Sequence, residues 1–186
     1  MSRKVITAPQ RYSLQEKECS VFLAGGITGC SNWQQSVVKS LEKSLRGSPY
    51  EQNIVIFNPR RKNFPINKPS ASYEQIKWEY DQLSRMDIFS MYFCNSDSDQ
   101  PICMYELGRY ICQMQTRFPK DWENRIIVSI ESGYKRTQDV LIQTYLACGD
   151  KIRVEEATQP DNNSLIFNHV QRIVNACRYL QYGRNM

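Results

Sequence analysis

The chain has 186 residues, 41% hydrophobic and 23% charged, with 24 Lys and Arg against 19 Asp and Glu, a net charge of +5. That length fits one domain with a full core, and the composition excludes a disordered chain. The basic excess suits a small anionic ligand but is too weak and dispersed to specify a nucleic-acid polymer.

In chain order, residues 1–17 read as a flexible polar N-terminal arm, and 18–186 as a single domain. Ser20–Ala24 is an apolar run with the length of a buried strand. It breaks into Gly25-Gly26-Ile27-Thr28-Gly29, after which Ser31 or Asn32 can cap a helix. That helix carries Trp33, Val37, Leu41 and Leu45 four apart, and Gly47-Ser48-Pro49 ends it near Arg46. Asn53–Phe57 predicts a second strand, running into Asn58-Pro59-Arg60-Arg61 and a proline-rich loop. Tyr73–Met86 predicts a helix with Ile76, Tyr80 and Leu83 on its buried side, and Glu79 turned the same way. Ile88–Phe93 predicts a third strand. A polar loop, Asn95–Gln100, leads into a helix opening at Pro101, with Met104, Leu107, Ile111 and Met114 on one side. Arg125–Ile130 predicts a fourth strand, Thr137–Ala147 a helix, Ile152–Glu155 a short strand near an edge, and Leu165–Leu180 a last helix. Strands alternating with helices imply α/β architecture: a parallel sheet covered on both faces through right-handed crossovers.

The seven cysteines are odd in number and include no Cys-x-x-Cys pair, and the one histidine is His169. This excludes a zinc framework, and no metal or cofactor is expected. Reduced thiols, no apolar stretch near the ~20 residues of a membrane span, and no signal-peptide core in the first 17 residues predict a cytoplasmic protein without a membrane partner.

Three strand ends carry unusual residues, and in a doubly wound sheet such ends converge on one crevice. Gly25, Gly26, Ile27 and Thr28 allow close approach of backbone to a ligand, though a glycine turn after a strand is also an ordinary tight turn. Their spacing is neither a phosphate-binding Walker loop nor a dinucleotide fingerprint. Asn58, Arg60 and Arg61 can hold a phosphate or carboxylate, or can be ordinary surface residues. Glu106 is the sixth residue of its helix, past the first turn where a carboxylate complements the helix dipole. Glu79 needs a reason to face inward. With Asp87 and Asp99 nearby in sequence, these are candidate carboxylates for breaking an N-glycosidic bond, one attacking the sugar and one serving the departing base. Asp87 has a rival reading as a helix-to-strand junction residue. Trp33, Trp78, Tyr92 and Tyr105 can stack a base, with core packing the better reading of Trp33. Cys103 lacks a neighbouring histidine to make it a nucleophile, and His169 reads as structural or surface.

Together, Phe22–Gly29 with Trp33-Gln34, Asn58-Pro59-Arg60-Arg61 with Phe64-Pro65, Gln75-x-x-Trp78-Glu79, Met86-Asp87-Ile88, and Pro101-Ile102-x-x-Tyr105-Glu106-Leu107-Gly108 resemble the nucleoside 2-deoxyribosyltransferase-like family over roughly residues 20–110. The resemblance implies a flavodoxin-like five-stranded sheet, with Glu106 as nucleophile toward C1′ and Glu79 as an acidic residue near base or sugar. It implies a glycine loop facing the sugar and 5′ group, and a homodimer or larger assembly. The sugar would pass to a free nucleobase acceptor or to water. Two departures stand out: Asp99 lies seven residues before Glu106 where transferases keep an aspartate closer, and Ala24-Gly25-Gly26 replaces a tyrosine. Hydrolytic relatives hold a 5′-phosphate at this loop, a task open to Arg60 or Arg61. The expected function is N-glycosidic cleavage of a nucleoside or nucleotide. The alternatives are a hydrolase or cyclase of NAD-type nucleotides and a non-catalytic nucleotide-binding module; glycine spacing argues against a flavin or dinucleotide oxidoreductase.

Overall fold

Each predicted apolar run becomes a strand of one parallel sheet. The computed structural model describes residues 4–65, 67–159 and 162–183. In order, the elements are β1 (Lys4–Thr7), β2 (Cys19–Gly25), α1 (Trp33–Leu45), β3 (Ile54–Asn58), α2 (Ala71–Leu83), β4 (Ile88–Phe93), α3 (Pro101–Arg117), β5 (Ile126–Ile130), α4 (Thr137–Cys148), β6 (Val154–Glu156) and α5 (Asn162–Gly183). The strands lie in the order β1-β3-β2-β4-β5-β6, all parallel. The five expected strands make the flavodoxin-like core, and β1 is added beside β3.

That sixth strand corrects the reading of residues 1–17 as a loose arm. Val5 and Ile6 supply β-branched side chains, and Lys4–Thr7 pair in register with Val55–Asn58. The polar residues that follow, which made the segment look like an arm, pin it. Glu18, 5% exposed, accepts from Lys4, from the Tyr12 hydroxyl at 2.7 Å and from the Gln15 amide at 2.8 Å. Trp78 Nε1 donates to the Gln10 carbonyl at 2.7 Å, and Arg85 to that of Tyr12 at 2.7 Å.

Both faces of the sheet are covered, so its central strands are apolar throughout rather than alternating. Val21, Leu23, Ile54 and Ile56 pack under α1 and α5, which bring Trp33, Val37, Leu41, Val170, Ile173 and Val174. Phe22, Ala24, Phe57, Phe89 and Met91 face α2, α3 and α4, with Trp78, Leu83, Leu107, Ile111 and Met114 over them. One helix departs from expectation. Ala71, Trp78, Gln82 and Leu83 are the buried side of α2, while Ile76 and Tyr80 are 65% and 50% exposed. The helix rolls its Ile76–Tyr80 side outward toward α3, where a cavity lies between the two.

His169 is fully buried, with ring nitrogens 2.7 Å from both the Ser90 and the Ser129 hydroxyl. Burial, with help from Arg172, pushes its pKa down to about 3, so it is a neutral polar link between α5 and the sheet.

Candidate active site

The helices after β2 and β4, adjacent strands, leave to opposite faces: α1 to one, α3 to the other. This is a topological switch point, where a crevice opens at the carboxyl ends of the strands. A cleft of ≈ 230 Å³ lies there, lined from β2 by Ala24 to Thr28, from the β4–α3 connection by Ser98, Gln100, Cys103 and Glu106, and by Pro59 and Glu79 across from them.

The glycine loop is shaped from below. Gly25 has φ +149°, and a Cβ there would stand 2.3 Å from the Tyr92 carbonyl oxygen and 2.7 Å from the Trp33 ring. No other residue fits. Trp33 stacks on Tyr92 at 4.8 Å, and its Nε1 donates to the Gly26 carbonyl at 2.9 Å. Arg60 clamps the same loop: it donates to Gln34 Oε1 and the Ser31 carbonyl, both at 2.8 Å, and to the Gly26 carbonyl at 3.3 Å. Its guanidinium is thereby committed to the loop instead of reaching into the cleft. No backbone carbonyl among the described residues takes the amides of Ile27 and Thr28.

The lead-in to α3 is equally fixed. Gln100 caps the helix at φ 49°, ψ 51°, a left-handed conformation unusual for a side-chain-bearing residue. Its amide donates to the Cys94 carbonyl at 2.7 Å and accepts from the Cys94 N–H at 3.3 Å, extending β4 by one side chain. The Tyr134 hydroxyl donates to the Asp99 carbonyl at 2.8 Å. Ser98 and Gln100 line the cleft, and Asp99 between them does not.

Glu106 and Glu79 come together from α3 and α2. Among the described residues Glu106 has no ion pair and no hydrogen bond. Burial first, then the Glu79 charge, pushes its pKa up to about 7, partly offset by Arg109. Burial raises Glu79 as well, against the pull of Gln75 and Arg61. Gln75 Nε2 donates to Glu79 Oε1 at 2.7 Å and to the Pro59 carbonyl at 2.8 Å, so the second carboxyl is held in place from its own helix. Cys103 also faces the cleft. Burial, and then Glu106, raises its pKa to about 12, which keeps it a thiol.

A second cavity of ≈ 250 Å³ opens on the outer side of the same two carboxylates. Its walls are Ile76, Tyr80, Tyr105 and Tyr110, with Arg109 stacked 5.1 Å over Tyr80 and 5.5 Å over Tyr110. The carboxyl pair therefore stands between a cleft walled by the glycine loop and an aromatic one.

Other candidates lie elsewhere. Asp87 sits at the opposite, amino-terminal edge of the sheet, accepting from the Ser20 N–H at 2.9 Å and its hydroxyl at 3.0 Å, with Arg125 4.0 Å away. This is the junction reading, and it puts Asp87 out of reach of the cleft. Trp33 and Trp78 are 2% and 5% exposed and serve the core. Tyr105 belongs to the aromatic cavity, while Asn58 and Arg61 line a separate groove. Gln75, Ser98 and Gln100 were missed as site residues. The i, i+4 spacing of Gln75 and Glu79 was the available signal for the first, and position in the loop after β4 for the others.

A doubly wound parallel sheet with two carboxyls beside a cleft at its switch point defines a class: an α/β protein with the kind of strand-end crevice in which open α/β sheets take ligands. A family profile described as "nucleoside 2-deoxyribosyltransferase like" matches residues 18–118, and the chain belongs to that family. Those residues contain β2 through α3, hence Glu79, Glu106 and the glycine loop. Membership supports a nucleoside-processing function. No curated protein matches the chain. Among the described residues no helix is long and apolar enough to cross a membrane, and no group of three or more His, Cys, Asp or Glu is placed to hold a metal ion.

Proposed function

We propose that the protein breaks the N-glycosidic bond of a nucleoside or nucleotide through a covalent sugar–Glu106 intermediate. One observation carries this: Glu106 is half-buried at the switch point with no ion pair or hydrogen bond among the described residues, beside a second raised carboxyl. The family's nucleoside chemistry supports it.

The sugar occupies the cleft under the glycine loop, and the base lies in the aromatic cavity, stacked against Tyr105 or Tyr80. The scissile bond then crosses between the carboxyls. A Glu106 oxygen attacks C1′, the C1′–N bond breaks, and its electron pair goes to the base nitrogen. Glu79, whose affinity for a proton is raised by burial, supplies the proton. In the second half, water or another base attacks C1′, the C1′–O bond to Glu106 breaks, and Glu79 takes up the released proton. Two displacements retain the anomeric configuration, as in O-glycosidases with close carboxyls.

The test is incubation with a panel of nucleosides and their 5′-monophosphates, with and without free bases. Wild-type protein is expected to release or exchange a base, and Glu106→Ala to lose this while melting as a folded protein. Undiminished base release by Glu106→Ala would refute the assignment. Tight nucleotide binding without product in wild type would favour a non-catalytic binding module.

A further inference from the structure

Past Ile27, on the α1 side of the glycine loop, a groove of ≈ 750 Å³ opens between the carboxyl ends of β1 and β3 and the start of α1. Ile27 belongs to both its wall and the cleft's. The groove has three cations in its lining, Arg60, Arg61 and Lys62, and no carboxylate. Arg60 is committed to the loop carbonyls. Arg61 lies 5.5 Å over the Phe64 ring and within electrostatic reach of Glu74 and Glu79, but it is not held by hydrogen bonds as Arg60 is. Its Nε and Nη2 are buried and have no hydrogen-bond partner, and no acidic side chain ion-pairs with it among the described residues. Unpaired buried donors are costly and uncommon in a native fold. The amides nearby are arranged to donate as well. Asn32 Oδ1 accepts from the Gln35 N–H and Asn58 Oδ1 from the Arg60 N–H, leaving both NH₂ groups as the open ends.

We propose that this groove binds the outer phosphate of a nucleotide carrying two or more phosphates, with Arg61 as the fork and Lys62 as a second cation. The inference rests on the sugar lying in the cleft. From there a 5′-hydroxyl or a single phosphate ends at the amides of Ile27 and Thr28. A chain that continues past the loop enters the groove that Arg61 and Lys62 line. A guanidinium with two free donors suits a phosphate edge, and Lys62 adds a point charge without directional demand.

Calorimetry on the full chain tests this with three ligands against Glu106→Gln: a nucleoside, its 5′-monophosphate and its 5′-diphosphate. Inorganic pyrophosphate is titrated separately into wild type. The diphosphate is expected to bind about tenfold or more tighter than the monophosphate, and the gain to shrink with added salt. Arg61→Ala should remove the gain and Lys62→Ala, at an exposed position, should cut it several-fold, with nucleoside binding unchanged. Lys120→Ala, an exposed cation beyond the far end of α3, should leave it intact. Equal affinity for mono- and diphosphate, or a gain indifferent to both groove variants, overturns the proposal. The two readings fail separately. Arg61-dependent pyrophosphate binding in a protein that releases no base upholds the groove and sinks the catalytic assignment. Base release without any diphosphate gain does the reverse.

Discussion

Glu106 holds its proton into the neutral range because its surroundings offer the carboxylate so little. Its pKa of about 7, against an ordinary 4.5, has a cost that can be measured. The folded state binds the proton more tightly than the unfolded one, so stability contributed by the neutral acid is full below about 4.5 and falls as pH rises through about 7. At pH 8 the charge costs on the order of 1–3 kcal/mol after allowing for partial exposure. Glu106→Gln should therefore raise the melting temperature at pH 8 by roughly 2–8 °C and leave it nearly unchanged at pH 4, while base release falls by at least ~10³-fold. Thermal melts at the two pH values check the first part and product chromatography the second. No stabilisation at pH 8 would mean Glu106 is not the desolvated acid described. Because Glu79 is raised too, the two titrate as a pair. The value of kcat/KM should rise with pH through about 7 as Glu106 ionises, with macroscopic constants belonging to both residues. Glu79→Gln removes the neighbouring charge that helps raise Glu106 and should move this rise to lower pH; an unmoved profile would show that the two carboxyls do not interact. The position of Glu106 was legible in the sequence, since a buried strand followed by a helix opening at Pro101 puts it beside the strand-end cleft. Arg60 was not. Its fate depends on carbonyls 29 to 34 residues away, which only the folded loop brings to it.

At the scale of single elements, the β2–α1 loop separates what a glycine must do from what it happens to do. At Gly25 a methyl group meets immovable backbone, and at Gly29 (φ +72°) it meets nothing within 4 Å. Gly25→Ala should cost several kcal/mol and displace the loop, and Gly29→Ala only the ~1 kcal/mol of a left-handed side-chain-bearing residue. Chemical denaturation of the pair checks this; equal costs would mean Trp33 and Tyr92 yield to the added methyl. The sequence made the glycine turn visible but could not rank its glycines, because the clash partner lies on the next strand. Helices α1, α3 and α5 were legible as well, because their apolar spacing matches one buried face. Helix α2 was misread for the same reason. Ile76 and Tyr80 have core-like spacing, yet they wall a cavity, and spacing does not distinguish a core from a pocket.

Over the whole molecule, the sheet carries its sixth strand where polarity had concealed it. Only four residues of β1 pair, and their attachment runs through Glu18. Hydrogen bonds from Gln15, Lys4 and Tyr12 outweigh the burial that opposes its charge and hold its pKa below the usual carboxylate value. The stability it contributes is thus present above its unfolded pKa and lost as pH falls through the folded one. Glu18→Gln should speed amide exchange in residues 4–7 and in Val55 to Phe57, with β4 and β5 unaffected. Uniform protection across the sheet would show that β1 holds by its backbone pairing alone. The paired cavities carry a kinetic consequence. If base and sugar sit in different compartments, the base can depart through the Tyr105 side while the glycosyl group stays anchored behind it. The vacated chamber then becomes a waiting room whose next occupant decides the product. A stacking heterocycle yields exchange and bulk solvent yields release, so widening or blocking the tyrosine doorway should alter the partition between them before it alters the rate of the first displacement.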